Sequence, residues 1–501
     1  MQLILLHTND THGHLKPIPT PDGTSQGGYA RRATFVQRAR AENPHTLLLD
    51  AGDFYQGSRF WHEFKGQPDM RLMNALRYDA ATIGNHDFDG GLELLARRLR
   101  EARFPVLCAN FHFEPDHPLH NLWQPYVILN ANGVRVAVFG LTIDALELYP
   151  QAFRDQVRIT PEIETARALL PELRRQADVV ILLSHLGHLG DVALAEAVTG
   201  IDLIIGGHTH TPLEQPLWVN GTPIVRGIVG NSSIGKTVLQ VNPGNAATLQ
   251  AYALHPLGEA IPNDAAIAAE IEQWEGQLPP EQVLGHLQDA LDTRSEIKGS
   301  GENRAGNFFA DALLAYFAEQ VDLAFVHMGT LRGDRLYGPG AFTNHDLSEY
   351  HPFDNPPMLM EITAPQLKFM LERGVSALPV PVGTFLSHAG LQVWVDLNQP
   401  AQKIDPDHPI LLHPGSRIVR AEFNGSAIDF SDEGRKFRIV CDGYMGRGGA
   451  GYFVLKQAAK IRVYEFGASQ AITWYLRLFS PVAVPLERRI IIHGRASSDV
   501  A

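Results

Sequence analysis

A chain of 501 residues with 45% apolar and 19% charged side chains exceeds what one hydrophobic core usually grows to, so two globular domains are expected. Its net charge of −13 and the lack of any long basic run exclude nucleic acid as a bulk polyanionic partner, which needs clustered Lys and Arg. A small anionic substrate at a local cation remains open.

The opening Met1-Gln2-Leu3-Ile4-Leu5-Leu6 lacks a basic lead and a cleavage site. It reads as a core strand and not as a signal peptide, so the chain is expected to be cytoplasmic or written without its leader. No run approaches the ~20 apolar residues that span a bilayer. Leu3–Leu6, Thr46–Leu49, Ala80–Ile83, Val106–Ala109, Val179–Leu183 and Leu203–Ile205 read as buried strands. Between them Arg31–Ala41, Arg71–Leu76, Leu92–Ala102 and Glu162–Gln176 carry apolar residues at helical spacing. Tyr126–Leu129 and Val134–Phe139 around Asn132-Gly133 read as a hairpin, as do Leu217–Val219 and Pro223–Val225 around Asn220-Gly221. Alternating β and α predicts a layered α/β domain over 1–260. A connection with one helix, at Ala265–Gly276, is expected over 261–285. A second domain over 286–495 then has helices at Asn307–Glu319 and Ala364–Ser376, strand-like Leu323–Val326 and several later strands. Cys108 and Cys441, both in strand-like runs, read as plain buried thiols with no disulfide framework.

Five polar clusters end strand-like runs of the first half: His7–His14, Asp50–Asp53, Gly84–Asp89, Ser184-His185 and Gly206–His210. Ligands gather beyond the carboxyl ends of strands in such domains. A buried carboxylate or imidazole is costly unless compensated, so a shared cation site explains the clusters best. Asp10 and His12 stand two apart, and His208 and His210 repeat that spacing. Asp53 offers two oxygens for a bridge, Asn85 an amide oxygen and His185 another imidazole. Seven such ligands suit two divalent ions about 3.5–4 Å apart. Mixed N/O ligands suit Mn, Zn, Fe or Co. His86 is expected to point away from the ions toward substrate, with Asp89 holding one of its ring nitrogens. It would stabilise the transferring phosphoryl group and protonate the leaving oxygen, while a metal-bound hydroxide attacks phosphorus. Asp50 and Asp87 read as structural acceptors for loop amides. His7, His14 and His188 are given no role.

The segments LHTNDTHGH (6–14), DAGDFYQG (50–57), GNHDFD (84–89), SHLG (184–187) and GGHTH (206–210) resemble the calcineurin-like metallophosphoesterases, and their wider context resembles the 5′-nucleotidase and UDP-sugar hydrolase group. The resemblance implies a four-layer αββα catalytic domain, a linking helix and a smaller α/β C-terminal domain that binds the nucleoside. By motif match Asp10, His12, Asp53 and His210 hold one ion, Asp53, Asn85, His185 and His208 the other, and His86 with Asp89 forms the catalytic dyad. In the second domain, ENRAGNFFADA (302–312), GTLR (329–332), FLSHAG (385–390) and GGAGY (448–452) resemble the family's substrate segments. They map a substrate-binding Arg to Arg332 and two base-stacking aromatics to Phe385 and Tyr452.

This chain also departs from the pattern. Gly301 stands where the family usually has Arg, His327 and Met328 replace an Asn and a Gly, and Ala450 replaces an Asp. Losing a planar bidentate clamp is not conservative. The activity expected is metal-dependent hydrolysis of nucleotide phosphate esters, 5′-nucleotidase-like. The alternatives are a 2′,3′-cyclic nucleotide phosphodiesterase or 3′-nucleotidase, a nucleotide-sugar diphosphatase and, more remotely, a non-catalytic nucleoside-binding protein. The partner is a small-molecule nucleotide, with no membrane segment, and the resemblance itself implies a periplasmic or extracellular setting.

Overall fold

The computed structural model describes residues 1–20, 24–149, 151–241, 246–295, 297–405 and 410–494. It divides into two compact units, Met1–Pro279 and Pro280–Ala501.

The first unit's principal strands are β1 (Gln2–Thr8), β2 (Leu47–Asp50), β3 (Ala80–Thr82), β4 (Val106–Leu107), β5 (Tyr126–Ala131), β6 (Val134–Thr142), β7 (Val179–His185), β8 (Leu203–Gly206), β9 (Leu217–Val219), β10 (Thr222–Val225), β11 (Ser233–Gln240) and β12 (Thr248–Pro256). Its main helices are α1 (Tyr29–Glu42), α2 (Gln67–Leu76), α3 (Leu92–Glu101), α4 (Glu162–Gln176), α5 (Gly187–Ala197) and α6 (Ala265–Glu275). The strands form two six-stranded sheets, in the orders β12-β11-β1-β2-β3-β4 and β9-β10-β8-β7-β6-β5.

The side-chain alternation of a strand sorts these residues into layers. Leu3, Leu5, Leu47 and Leu49 meet Val136, Val138, Val179, Ile181 and Leu183 of the other sheet in a core between the two sheets. Leu6, Leu48 and Ala81, on the opposite face, pack on α1, α2 and α3. Val180, Leu182 and Ile204 likewise pack on α4 and α5. The expected αββα order is thus realised. β1, β2, β3 and β4 run parallel, as do β6, β7, β8 and β10, so each sheet delivers its strand ends to one edge. The long parallel runs read as nearly unbroken apolar stretches because both faces are buried.

Helix α6, expected as part of a connection, is built into the first unit. The Asp264 carboxylate caps it by accepting from the Ile267 amide. Ile267 and Ile271 are buried in the same core as α1 and α2. Glu275 at its end accepts from both Lys16 and Arg59. An apolar stripe and an ion-pair cluster therefore draw it onto the body.

The second unit is a smaller α/β body. A five-stranded mixed sheet contains β13 (Leu323–His327), β14 (Pro357–Thr363), β15 (Leu386–Ala389), β17 (Lys436–Asp442) and β18 (Ala459–Val463). A second sheet is built around β16 (Leu391–Asp396). Helices α7 (Arg304–Phe317), α8 (Ala364–Gly374) and α9 (Ser469–Phe479) complete the unit. Thr363 and Gln366 form a reciprocal cap at the start of α8, which explains why the chain turns there from strand to helix. Among the described residues no helix is long and apolar enough to cross a membrane.

Candidate metal centre and active site

Two groups of ligand-type side chains form in the first unit among the described residues: Asp10, His12 and His210, and Asp53, His185 and His208. Within each group the ligand atoms lie within 4.8 Å of one another. Asp53 joins the two. Its Oδ2 is 3.2 Å from His185 Nε2 and 3.9 Å from His12 Nε2. His12 Nε2 and His210 Nε2 stand 2.9 Å apart, and His210 Nε2 is 3.8 Å from Asp10 Oδ1. Buried beside them, Asp53 Oδ2, Asn85 Oδ1 and His185 Nε2 take part in no hydrogen bond among the described residues. A buried polar atom left so costs about 1–3 kcal/mol. Carboxylate oxygens and imidazole nitrogens gathered in two such groups are the donor set that divalent ions take.

The loops carrying these groups hold a demanding backbone. Asp10 (φ 48°), His12 (48°), Asp53 (56°), His208 (75°) and His210 (56°) all adopt the left-handed region, where non-glycine residues are uncommon. Each such residue costs on the order of 1–3 kcal/mol and persists only where its surroundings over-determine it. Here the Asp10 and His12 amides donate to the Gly52 and Asp53 carbonyls at 2.9 and 3.0 Å. The Asp87 carboxylate accepts from the Asp53, Tyr55 and Gly84 amides. Asp50 accepts from the Gly52 amide and the Thr8 hydroxyl. Both acids thus serve the loop amides, as their positions in the motifs suggested. Gly84 is required by close approach, since a Cβ there would lie 2.1 Å from Asp53 Oδ1.

Side-chain orientation is set one layer out. His185 Nδ1 donates to the Ala51 carbonyl at 2.7 Å, which turns Nε2 toward Asp53. Asn9 donates to Asp10 Oδ2 at 2.7 Å, and the His208 amide donates to Asp10 Oδ1 at 2.9 Å. Burial pushes Asp10 up to about 6. Burial would also raise Asp53, but the imidazoles of His185, His86 and His12 hold it well below the carboxylate range. Burial works against a charged His185, and Asp53 overrides it, raising the imidazole to about 10. Burial and the His185 charge lower His208 to about 3. The pocket is therefore strongly polarised around Asp53.

His86 stands on the turn after β3. Its amide donates to Asp53 Oδ1 at 2.8 Å, and its Nδ1 lies 2.8 Å from Asp89 Oδ2. Its ring centre is 5.5 Å from that of His12. The His86 side chain is 22% exposed, open enough to meet a substrate.

In the second unit Arg332 lies in a loop with its guanidinium 4.8 Å above the Phe353 ring. Phe385 and Tyr452 are both completely buried in that unit's core, and the Tyr452 hydroxyl donates to the Thr384 carbonyl. Neither presents a face to a base in this structure, because each lies where the apolar interior claims it. The half-buried aromatic beside Arg332 is Phe353, which the sequence reading did not single out. Its signal was a loop aromatic between Pro352 and Asp354, outside any strand or helix periodicity.

Residues 3–212 match the family model of the calcineurin-like phosphoesterases, and residues 283–457 match that of the 5′-nucleotidase C-terminal domain. The chain belongs to the calcineurin-like metallophosphoesterases of the 5′-nucleotidase type. Such an enzyme is a hydrolase of phosphate esters, and the family's dinuclear divalent metal centre matches the two ligand groups found here. This metallophosphoesterase is 28% identical to the trifunctional nucleotide phosphoesterase protein YfkN of Bacillus subtilis over 91% of its own length. It spans 32% of that relative, about a third. It is also 28% identical to the human 5′-nucleotidase, covering 91% of this chain and 84% of that one. Its fold matches the crystal structure of a 5′-nucleotidase precursor from Thermus thermophilus with a TM-score of 0.85 and 29% identity, over 99% of this chain and all of the other.

Proposed function

We propose that this metallophosphoesterase releases phosphate from nucleotides at two divalent ions. Asp10, His12, Asp53 and His210 hold one ion, and Asp53, Asn85, His185 and His208 hold the other. The observation that carries the reading is Asp53 Oδ2, placed between the Nε2 atoms of His12 and His185. When bound, such ions neutralise phosphoryl oxygens and bring the pKa of a water toward neutrality, and Mn, Zn, Fe or Co each suit this N/O donor set. The protein's own groups do the rest. Asp89 fixes the orientation of His86 through Nδ1. His86 stabilises charge on the transferring phosphoryl group and gives a proton to the leaving oxygen. Asp50 and Asp87 keep the ligand loops in their left-handed turns. Arg332 and Phe353 offer a planar cation and a ring to the nucleoside end of the substrate.

The departures at Gly301, His327 and Ala450 favour a second reading of the same site, in which 2′,3′-cyclic or 3′-nucleotides or nucleotide sugars are preferred. His327 bears on this, since its Nε2 lies 3.4 Å from Asp442 Oδ2 and so adds an imidazole–carboxylate pair where the family has an amide. Phosphate release from AMP, 3′-AMP, 2′,3′-cyclic AMP and UDP-glucose, with Mn²⁺ and with EDTA, separates the readings. The expected result is release from AMP that EDTA abolishes and Mn²⁺ restores. Tight adenosine binding with no release from any of the four would overturn catalysis itself.

A further inference from the structure

A buried ion pair stands next to the histidines of the second sheet, outside the set of ligand groups. Asp191 lies on α5 and Arg226 follows β10, and both side chains are fully shielded from solvent. Arg226 Nη2 donates to Asp191 Oδ2 at 2.5 Å. The other Asp191 oxygen accepts from the Ser184 hydroxyl at 2.5 Å. Ser184 immediately precedes His185, and its Oγ accepts from the Leu186 amide at 3.3 Å on the other side of that histidine. Arg226 Nη1 donates to the Thr211 carbonyl at 3.3 Å, one residue past His210. The guanidinium also lies flat against the end of β8, since a Cβ on Gly206 would come within 3.0 Å of Nη2 and 3.1 Å of Nε. Helix α5 itself reaches the same loop. The His188 amide donates to Thr209 Oγ1 at 3.2 Å, and a Cβ on Gly187 would stand 3.0 Å from the His208 ring. One ion pair thus ties together the segments that carry His185, His208 and His210.

Stability is a poor reason for such a pair. Burying two charges costs about as much as their attraction returns, and apolar side chains of similar volume often fill such a place without loss. What apolar side chains lack is direction. Charge-assisted hydrogen bonds fix geometry, and here they end on residues adjoining the histidines. On the first sheet Asp50 and Asp87 anchor the loops of Asp10, Asp53 and Asn85 through backbone amides. On the second sheet the Asp191–Arg226 pair takes the corresponding place.

We propose that the Asp191–Arg226 pair is a positioning device for the metal centre: through Ser184 and the 206–211 segment it aims His185 and His208 at the ion they share with Asp53 and Asn85. The inference rests on the two-ion reading above and extends it to residues outside the ligand set.

The test is Mn²⁺ binding to the full chain by equilibrium dialysis with metal analysis, alongside the denaturant midpoint of the metal-free protein. The paired variant Asp191→Leu with Arg226→Met removes both charges together, so neither is left buried alone. It is expected to keep a midpoint near that of the wild type and to bind one of the two ions about 10–100-fold more weakly, the usual effect of removing groups that orient metal ligands. The other ion, which draws only His210 from this sheet, should be weakened less. Excess Mn²⁺ should restore turnover, because every ligand is still present. Ser184→Ala, which leaves the pair in place and cuts its link to His185, should weaken the same ion. Arg226→Lys, which keeps a donor for Asp191 and gives up the one for Thr211, should fall between wild type and the paired variant. Unchanged binding of both ions in the paired variant and in Ser184→Ala overturns the positioning role. So does a lowered midpoint with both ions weakened alike, which would mark the pair as packing. A wild type that takes up fewer than two ions overturns the two-ion reading, and this inference with it.

Discussion

The first unit carries its ligand groups at the ends of parallel strands, anchored in two six-stranded sheets with a shared core, whereas the second carries Arg332 and Phe353 on loops. Strand ends leave little freedom. Asp53 lies three residues past the end of β2 and His185 is the last residue of β7, so moving either by one position would aim it elsewhere. Loops tolerate such shifts. Strand ends and loops thus hold side chains in place by different means within one chain.

The comparison is broken most sharply at Asp53. Asp53→Ala is expected to lose both ions and turnover together, by about three orders of magnitude or more, as metal analysis and phosphate release would read. Two tightly held ions in that variant would contradict the bridge. His86→Ala should lower kcat by about 10²–10⁴-fold with metal content near normal, the range expected for a lost general acid. Asp89→Asn should cost less, about 10–100-fold, since it only orients the ring. In the second unit, Phe385→Ala is expected to destabilise the fold by about 3–5 kcal/mol in denaturant titration. Phe353→Ala should leave stability nearly unchanged and raise KM for AMP by about tenfold, one stacking contact. The reverse pattern would return the stacking role to Phe385.

An effect of similar size to that at Phe353 concerns His388, buried beside Arg489 with its imidazole lowered to about 3 by burial. The unfolded chain protonates this residue near 6.5, so stability is fully present above that pH and falls as acid is added toward the folded value. Between pH 7 and pH 5 the wild type should lose about 1–2 kcal/mol more than His388→Leu in denaturant midpoints. Equal losses would show that the ring is solvated in the folded unit.

Much of the first unit was legible because its signals are local. Apolar runs of three to five residues, polar clusters at their ends and helical spacing between them are all short-range patterns, and the layers follow from alternation along each strand. The second unit was less legible. Phe385 and Tyr452 sit in motif-like segments, yet nothing in their neighbours states whether an aromatic ring packs inward or faces a ligand. Helix α6 was legible as a helix, but its attachment to the first unit depends on Ile267 and Ile271 meeting a core formed by residues far upstream. The left-handed turns at Asp10, His12, Asp53, His208 and His210 carried no sequence signal of their own.

The sequence by itself determined which side chains are available for ions, because carboxylates, amides and imidazoles at the ends of buried strands have few other physical explanations. Only the tertiary structure decided that one oxygen of Asp53 lies near two histidines from opposite sheets, and that Phe353 and not Phe385 lies beside Arg332. Each of these depends on burial and on distances between segments remote along the chain, and such quantities exist only once the chain has packed.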